Sequence, residues 1–419
     1  MVAALLTLAA ACGGRSNSSS SSGSSGSTAS SPGITDTEVK LGGSYPFSGP
    51  ASAYGAIGKT LEGYFKYVND QGGVKMGDGK TRKITFTTYD DAYTPANAVA
   101  NAKRLVEQDQ VFALFNTLGT ANNTAIMDYA NQQKVPQLYV ATGAGTFGVN
   151  PTAHPFTTGW QLAYPTEAAI YGQYLKDSKP DAKVAVLYQN DDYGKDYLNA
   201  FKKAIQGTQI KIVSEQSYET TDPTVDSQVT NLAQTGADVF FNVTTPKFAA
   251  QAIKKAGELG WKPLQLLNSV SASITAVLKP AGFENAQNIV SATYIKDPTD
   301  PQWDNDAAMK KYKELLPKYA SGVDPANSFG VYGFAVGETM VKALEATKKP
   351  TRDALMQAVR SMKGVEIGLL LPGVKVTMDG TKDGYPVESG QIVAFKTDRF
   401  VLQGKLIDTY EGKSGTLGA

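Results

Sequence analysis

Cysteine and histidine are almost missing from this sequence: its 419 residues include one of each, Cys12 and His154. One cysteine cannot form a disulfide within the chain, and one residue of each type cannot build a Cys/His zinc site. Nucleophilic catalysis assisted by histidine would have to use His154, which stands before Pro155 in a segment typical of a solvated turn. The composition therefore argues against thiol, imidazole and zinc chemistry, and we expect neither a metal nor a cofactor.

The sequence also lacks an excess of charge of either sign. Its 40 Lys and Arg residues balance 39 Asp and Glu residues, so no overall field would attract nucleic acid or an anionic membrane. The mean hydropathy of −0.24 is too polar for a polytopic membrane protein. At this length the chain has room for about two domains.

The N-terminal segment indicates export and attachment to a membrane. Residues 1–11 form an apolar run that is too short to span a bilayer but is typical of a signal segment. Cys12 follows it directly, as in the lipobox of bacterial lipoproteins, and this resemblance implies that Cys12 carries the lipid. Two features depart from the pattern: no Lys or Arg precedes the run, and Leu8 stands one place early.

A tether is predicted between the anchor and the folded body, over residues 12–33. Ser and Gly dominate this segment, and it has almost no apolar side chains to offset the entropy cost of ordering. Its nineteen residues after Gly14 behave as a flexible linker whose ends lie about 25 Å apart. Such a tether holds a folded body clear of the membrane surface.

Beyond Gly33, short apolar runs alternate with amphipathic segments, which predicts buried parallel strands separated by helices. Two series of strands are predicted, at Val39–Gly43, Ile84–Tyr89, Val111–Phe115 and Gln137–Val140, and at Val184–Tyr188, Ile210–Gln216, Val239–Val243 and Leu264–Leu267. The C-terminal part is predicted to be helical at 302–319, 328–346 and 352–361 and β-like at 374–378 and 391–396. We expect an α/β protein of two doubly wound, Rossmann-like lobes.

One segment is compatible with a nucleotide site. Residues 53–60, AYGAIGKT, fit a loose phosphate-binding loop in which Ala replaces the first Gly. A helical stripe that begins at Ile57 favours the start of a helix instead. The sequence has no G-x-S-x-G elbow and no zinc motif that would support an enzyme.

Thr120–Asn123 is predicted to begin a helix shortly after the strand that ends at Phe115. The first turn of a helix has free N–H groups and the positive end of the helix dipole, and Thr and Asn add short polar side chains. This combination is typical of a carboxylate-binding site. Helix capping explains the same residues, and the two roles are compatible.

Several segments together resemble the type I periplasmic solute-binding proteins of ABC importers, in the branch that binds branched-chain amino acids. The segments are 43–55 (GSYPFSGPASAYG), 64–73 (YFKYVNDQGG), 89–91 (YDD), 188–194 (YQNDDYG), 237–241 (ADVFF) and 256–260 (AGELG). The resemblance extends from about residue 34 to residue 405 and lies in the order and spacing of these segments.

The resemblance implies two lobes that are joined by three crossovers and close over one ligand. The implied bounds are a signal segment (1–11), an anchor and tether (12–33), lobe I (34–158 and 293–366), lobe II (159–292 and 367–405) and a C-terminal tail (406–419). The ligand carboxylate is expected at two loops of lobe I, and aromatic walls are expected from both lobes. The implied contacts are Tyr54, Gly119, Thr120, Asn122, Ala141, Thr142, Gly143, Tyr193, Thr244 and Lys247.

Residues 244–247, TTPK, depart from the family pattern. Amino-acid binders of this branch have a Pro-Glu pair here, and the Glu neutralises the ammonium of the ligand. Lys247 replaces that Glu, and a buried ammonium beside it would be destabilised by several kcal/mol unless Asp191 or Asp192 compensates. A ligand with a neutral or anionic far end is therefore expected, unless the lysine extends into solvent.

These observations predict an extracytoplasmic, monomeric and non-enzymatic solute-binding protein that touches the membrane only through its lipid. Its expected partners are a small carboxylate-bearing ligand, such as an amino acid or a related organic or aromatic acid, and an ABC permease. The alternative is a ligand sensor of the same fold that signals to a membrane receptor.

Overall fold

The computed structural model describes residues 30–378, 380 and 384–408. The predicted signal segment, Cys12 and most of the predicted tether lie outside the described residues. Ser31, near the end of that tether, is docked on the folded body. Its N–H donates to the carbonyl oxygen of Pro350 at 2.9 Å, and its Oγ accepts from the N–H of Arg352 at 3.1 Å. The folded body therefore begins before Ile34, the predicted first residue of lobe I.

A first sheet of mostly parallel strands has the order β2-β3-β1-β4-β5-β6. Its strands are β1 (Glu38–Tyr45), β2 (Val74–Lys75), β3 (Thr81–Asp90), β4 (Ala113–Phe115), β5 (Gln137–Val140) and β6 (Thr157–Gly159). Because β1 pairs with β3 on one side and with β4 on the other, the strand order reverses there. Ligands of open α/β sheets lie at the carboxyl ends of the strands around such a reversal.

The second sheet has the order β13-β12-β11-β10-β9-β7-β8. Its strands are β7 (Lys183–Gln189), β8 (Lys211–Tyr218), β9 (Val239–Val243), β10 (Leu264–Leu267), β11 (Ile289–Thr293), β12 (Ser389–Lys396) and β13 (Arg399–Asp408). The strands from β7 to β11 are parallel, whereas β12 and β13 run antiparallel at one edge. This sheet is the framework of a second doubly wound unit.

Helices cover both sheets. They are α1 (Gly55–Asp70), α2 (Pro95–Lys103), α3 (Thr120–Gln132), α4 (Tyr164–Ser178), α5 (Asp192–Ala204), α6 (Asp226–Ala233), α7 (Pro246–Glu258), α8 (Lys279–Ala281), α9 (Ala307–Tyr319), α10 (Ser328–Ala346) and α11 (Arg352–Arg360). Buried residues of α2 and α3 form a core cluster separate from that of α1 and α10, so two helical layers enclose the first sheet. Within the described ranges, no helix is long and apolar enough to cross a membrane.

The chain passes between the two sheets three times. It leaves the first sheet after β6 and enters α4, leaves the second sheet after β11 toward α9 and α10, which pack on α1, and returns to form β12. This connectivity confirms the predicted two-lobed α/β fold. The residue bounds given above for the lobes remain predictions.

Some predictions for the C-terminal part need correction. Val374–Met378 is not a strand, because only an isolated bridge joins Val365 to Val376. The helix predicted from residue 302 begins at Ala307, where the carboxylate of Asp306 caps it by accepting the N–H of Met309 at 2.9 Å. The strand β13 continues to Asp408, which is inside the predicted tail.

The segment that fits a loose phosphate-binding loop forms a short 3-10 turn and the first turns of α1. Gly58 and Thr60 are buried in this helix. A β-carbon on Gly333 of α10 would lie only 2.9 Å from side-chain atoms of Thr60, so the two helices pack tightly at this point. The start of a helix therefore explains the segment, as the sequence favours.

Candidate functional site

A pocket lies between the two sheets and receives residues from both. It contains about 930 Å³ of space, including its opening to solvent. Its walls are mainly aromatic, with rings from Tyr54, Tyr93, Tyr164, Tyr193, Tyr294, Phe329, Tyr332 and Phe400. A concave, largely apolar site with a few polar groups is the usual form of a small-molecule binding site.

The start of α3 opens into this pocket at Gly119 and Thr120. Gly119 is the N-cap residue with φ of 99°, and a β-carbon there would lie 2.8 Å from the ring of Tyr93. Both the conformation and the close approach therefore require glycine. Because no side chain of the described structure caps the helix, its first N–H groups remain available to a ligand.

The loop after β5 lies beside the start of α3. The Oγ1 atoms of Thr120 and Thr142 are 2.7 Å apart, and Thr142 also donates to the hydroxyl of Tyr164 at 3.3 Å. Ala141 lines the pocket. Gly143 lies behind it, because its carbonyl oxygen accepts the N–H of Tyr164 at 2.7 Å. The two predicted anion-binding loops thus form one hydrogen-bonded unit.

Asn122 is buried, but it is not part of the pocket wall. It lies near Asp91, whose carboxylate accepts a hydrogen bond from Ser44 at 2.7 Å. Burial raises the pKa of Asp91 to about 6. Asn122 therefore does not line the space that a ligand would fill, although Gly119 and Thr120 do.

Tyr54 and Tyr193 reach the pocket from opposite lobes, as the resemblance implies. The Tyr54 ring lies 5.1 Å from the Phe329 ring, and the Tyr193 ring lies 5.3 Å from the Tyr164 ring in an edge-on contact. The Tyr193 hydroxyl donates to the side-chain amide oxygen of Asn268 at 2.5 Å. Since this hydroxyl is engaged, Tyr193 offers a ligand mainly its ring.

The structure does not bring Lys247 to the pocket. Its side chain is exposed, its Nζ donates to the carbonyl oxygen of Asp222 at 3.3 Å, and the same nitrogen lies 4.6 Å from the centre of the Phe248 ring. Thr244 is buried and donates to the Oδ1 of Asn242 at 2.6 Å, so the next residue, Thr245, lines the pocket in its place. That Lys247 influences ligand choice therefore stays a prediction. The exposed position of its side chain, outside the pocket wall, does not favour it.

The charge of the pocket is low. No Lys, Arg or His is found among the described residues of the wall, and Asp297 is its one carboxylate. Asp297 accepts two hydrogen bonds from Thr299, at 2.8 Å from the N–H and 2.7 Å from the hydroxyl. Burial raises the pKa of Asp297. A bound anion would therefore depend on neutral donors and on the dipole of α3.

A buried carboxylate supports the wall from behind. Glu167 of α4 is fully buried and accepts hydrogen bonds from Tyr171 at 2.7 Å, Tyr197 at 2.8 Å, and both the N–H (2.7 Å) and the hydroxyl (2.5 Å) of Ser269. Burial raises the pKa of Glu167, and these donors oppose the shift. Because Ser269 lines the pocket, Glu167 fixes the loop that follows β10.

Several residues of the wall were not predicted from the sequence: Tyr93, Gln161, Tyr164, Ser269, Tyr294 and Tyr332. Most of them lie in segments that connect the lobes or in α10, where no local motif marks them. The available signal for these residues was a tyrosine in each segment where the chain crosses between the lobes.

The described part of the chain has no group of three His, Cys, Asp or Glu side chains placed to hold a metal. The wall instead combines a helix start, hydroxyl groups and aromatic rings. This arrangement is suited to non-covalent capture of a small molecule.

Comparison with known proteins gives the same fold. The sequence profile of the periplasmic binding protein family matches residues 38–399. Leu/Ile/Val-binding protein homolog 7 of Brucella suis is 24% identical over 354 residues, which cover 82% of this chain and 85% of that protein.

Two solved structures illustrate the similarity. A branched-chain amino acid ABC transporter protein from Thermus thermophilus with bound valine has a TM-score of 0.80 at 19% identity, covering 91% of this chain and all of that chain. A fatty acid ABC transporter substrate-binding protein from Thermomonospora curvata has a TM-score of 0.77 at 24% identity, covering 92% and 96%. Identities this low support a shared fold and leave the ligand open.

Proposed function

The chain belongs to the periplasmic binding protein family, in its type I, branched-chain amino-acid-binding branch, and from this membership we propose that it captures a small carboxylate-bearing ligand for an ABC permease. Members of this family bind solutes, so the chain is a solute-binding protein and not an enzyme. The carboxylate, the delivery step and the lipid anchor are the parts that we propose.

One observation supports a carboxylate as part of the ligand: the uncapped start of α3 opens into the pocket at Gly119 and Thr120. Free N–H groups and the positive end of a helix dipole together favour an anion. The Thr120 hydroxyl adds a donor when Thr142 donates to it instead of to Tyr164. Valine and fatty acids, which two similar structures are named for, both carry a carboxylate.

Capture would proceed by closure of the two lobes on the ligand. Tyr54 and Tyr193 belong to opposite lobes and line one pocket, so a ligand between them contacts both halves. A ligand that binds the closed arrangement more tightly than the open one shifts the population toward closure. The permease then recognises the closed form.

The place of action that we propose is outside the cytoplasm, at the membrane. Periplasmic binding proteins act there, and residues 1–11 followed by Cys12 are typical of an exported lipoprotein. A tether between the lipid and the folded body would let the body reach a permease in the same membrane. We propose that the body works as a monomer.

The carboxylate is tested with pairs of ligands that differ only in that group. Unfolded and refolded protein, freed of any carried ligand, is titrated by calorimetry with isovalerate and isovaleramide, benzoate and benzamide, and leucine and leucinamide. We expect at least one acid to bind about tenfold more tightly than its amide, the scale of a lost hydrogen bond to a charged group. Equal or tighter binding of every amide would refute a carboxylate site.

Delivery to a permease needs a separate test in cells. Deleting the gene should abolish uptake of the radiolabelled ligand that calorimetry identifies, and expression of the wild-type chain should restore it. Normal uptake in the deletion strain, together with a changed signalling response, would support a sensor instead.

A further inference from the structure

Two polar side chains of the pocket wall have no hydrogen-bond partner. Gln161 is 5% exposed and Tyr294 is 6% exposed, and neither the Gln161 amide nor the Tyr294 hydroxyl bonds to any described residue. Neither polar group is among the fully enclosed described side-chain atoms that lack a partner, so both open into the pocket and are accessible to water or to a ligand. Both groups face the space in which a ligand would lie, so a ligand can supply the missing bonds.

The register of the first sheet places Gln161 beside the proposed anion site. Leu118 bridges to Ala141, and Val140 pairs with Gly159. The chain therefore emerges from β4, β5 and β6 in three neighbouring segments, and Gln161 is two residues beyond Gly159. The carbonyl oxygen of Gly143 accepts the N–H of Tyr164 at 2.7 Å, so the segment that contains Gln161 runs beside the loop of Thr142. An atom next to the ligand carboxylate is thus within reach of this side chain.

Tyr294 approaches the same region from the crossover after β11. Its ring is 6.0 Å from the ring of Trp160, the residue before Gln161. Both residues line the same pocket, Gln161 in the segment after β6 and Tyr294 in the segment after β11.

Asp297 is the one carboxylate among the described residues of the pocket wall, and Thr299 donates two hydrogen bonds to it. Glu167 already accepts four hydrogen bonds. Asp196 accepts the N–H of Gly145 at 2.7 Å, and Asp191 accepts hydrogen bonds from the Gln189 amide at 2.6 Å and from the N–H of Gly194 at 3.2 Å. An ammonium next to the ligand carboxylate would lose its hydration without gaining an opposite charge.

We propose that Gln161 and Tyr294 form an uncharged polar subsite beside the anion site, which selects 2-oxo and 2-hydroxy acids over 2-amino acids. The inference rests on the proposed function, because it takes the ligand carboxylate to lie at the start of α3. An amide offers both a donor and an acceptor, so Gln161 can donate to a carbonyl or accept from a hydroxyl. Such a site rejects the unsubstituted acid, which leaves its polar groups unpaired. An ammonium could donate to the same groups, but it would be desolvated without an opposite charge from the site.

The test uses four acids with one carbon skeleton: 4-methyl-2-oxopentanoate, 2-hydroxy-4-methylpentanoate, leucine and 4-methylpentanoate. We expect the oxo or hydroxy acid to bind about tenfold more tightly than both leucine and the unsubstituted acid. Leucine as the tightest ligand overturns this inference and leaves the carboxylate site intact. Failure of all four acids, when another acid of the acid–amide panel binds, also overturns it. Failure of every acid in both panels refutes the proposed carboxylate site itself.

Two variants of Gln161 assign the effect to this side chain. Gln161→Leu should lower the affinity for the oxo and hydroxy acids to that of 4-methylpentanoate, while the affinity for 4-methylpentanoate itself changes less than about twofold. Gln161→Glu should improve leucine binding about tenfold, because a carboxylate then stands beside its ammonium. Tyr294→Phe should weaken binding of the hydroxy acid and leave the affinity for the unsubstituted acid unchanged.

Matched controls come from Gln173, an exposed residue of α4. Gln173→Leu and Gln173→Glu make the same chemical changes outside the pocket and should alter none of the four affinities. Thermal unfolding of each variant confirms that it is folded. If Gln161→Leu keeps the preference for the oxo and hydroxy acids over the unsubstituted acid, Gln161 does not form the subsite.

Discussion

The Oγ1 of Thr120 lies 2.7 Å from the Oγ1 of Thr142, and this contact joins the first turn of α3 to the loop after β5. Either hydroxyl can donate in this pair, so the Thr120 hydrogen is available to a ligand oxygen when Thr142 donates to Thr120 and not to Tyr164. Thr120 lines the pocket and Thr142 lies behind it. The pair therefore couples the position of the loop after β5 to the hydrogen bonding of Thr120 at the start of α3.

Thr120→Val is the direct test of this pair. The change keeps the shape of the side chain and removes the hydroxyl, so we expect binding of the carboxylate ligand to weaken by about 1–3 kcal/mol, as for a lost hydrogen bond to a charged group. Calorimetry measures the loss. Thr124→Val, on the same helix but outside the pocket wall, is the control and should leave affinity unchanged. Unchanged affinity in Thr120→Val would remove this hydroxyl from the site.

The tight packing between α1 and α10 gives a prediction about stability. A β-carbon on Gly333 would lie 2.9 Å from two carbons of Thr60, whereas one on Gly322 would meet no atom within 4 Å. Gly333→Ala should therefore lower the free energy of unfolding by about 1–3 kcal/mol, the usual result of overpacking, as measured by urea unfolding. Gly322→Ala should change it by less than about 0.5 kcal/mol. Equal effects at the two positions would contradict the close helix contact.

Asp196 gives a prediction about pH. Burial raises its pKa to about 6, an effect that the N–H of Gly145 opposes and the nearby charge of Asp192 increases. An acid with a raised pKa is protonated more readily in the folded state. The stability that it contributes is therefore present below pH 4 and is lost as the pH rises through about 6.

Asp196→Asn should remove that loss, because the amide oxygen can still accept the N–H of Gly145. Relative to the wild type, the free energy of unfolding of the variant should rise by about 1–2 kcal/mol between pH 4 and pH 7, measured by urea unfolding at each pH. The exposed Asp181→Asn should show no such trend. A constant difference across this range would mean that Asp196 titrates normally.

Cys12 and its flanking residues give a prediction about localisation. Cys12→Ser removes the thiol that would carry the lipid, so the protein should move from the membrane fraction to the soluble extracytoplasmic fraction. Ligand affinity should remain that of the wild type, because the folded body begins near Ser31. Membrane fractionation and calorimetry make the two measurements. A variant that stays in the membrane fraction would show that another feature anchors the chain.

Part of the fold could be predicted because its sequence pattern is local. The strands β5, β9 and β10 and the helix α10 have the predicted bounds, since each is a continuous apolar run or a long amphipathic stripe. The strand β6 was missed because Thr157–Gly159 is short and polar. Its side chains are buried by neighbouring elements, which a window of sequence does not include.

The site was predictable to a similar extent. Gly119 and Thr120 could be found from the sequence because a strand followed by a helix start is a local signal. Gln161 and Tyr294 could not, because they are single residues in crossovers that meet only after both sheets have formed. What distinguishes them is the absence of a hydrogen-bond partner in the described structure, which no sequence pattern reveals.

Lys247 is a residue whose role in ligand binding looks different in the sequence and in the structure. The sequence allows Lys247 either to face the ligand or to extend into solvent, and the structure places its Nζ at the carbonyl oxygen of Asp222 and leaves the side chain exposed. At an exposed site water screens the charge, so Lys247→Glu should change ligand affinity by less than about 0.5 kcal/mol. The ratio of the affinities for leucine and 4-methyl-2-oxopentanoate should also stay constant. Calorimetry with both ligands tests this, with Gln161→Glu as the variant in which the ratio is expected to move. A shift toward leucine in Lys247→Glu alone would show that this side chain turns into the cleft when ligand is bound.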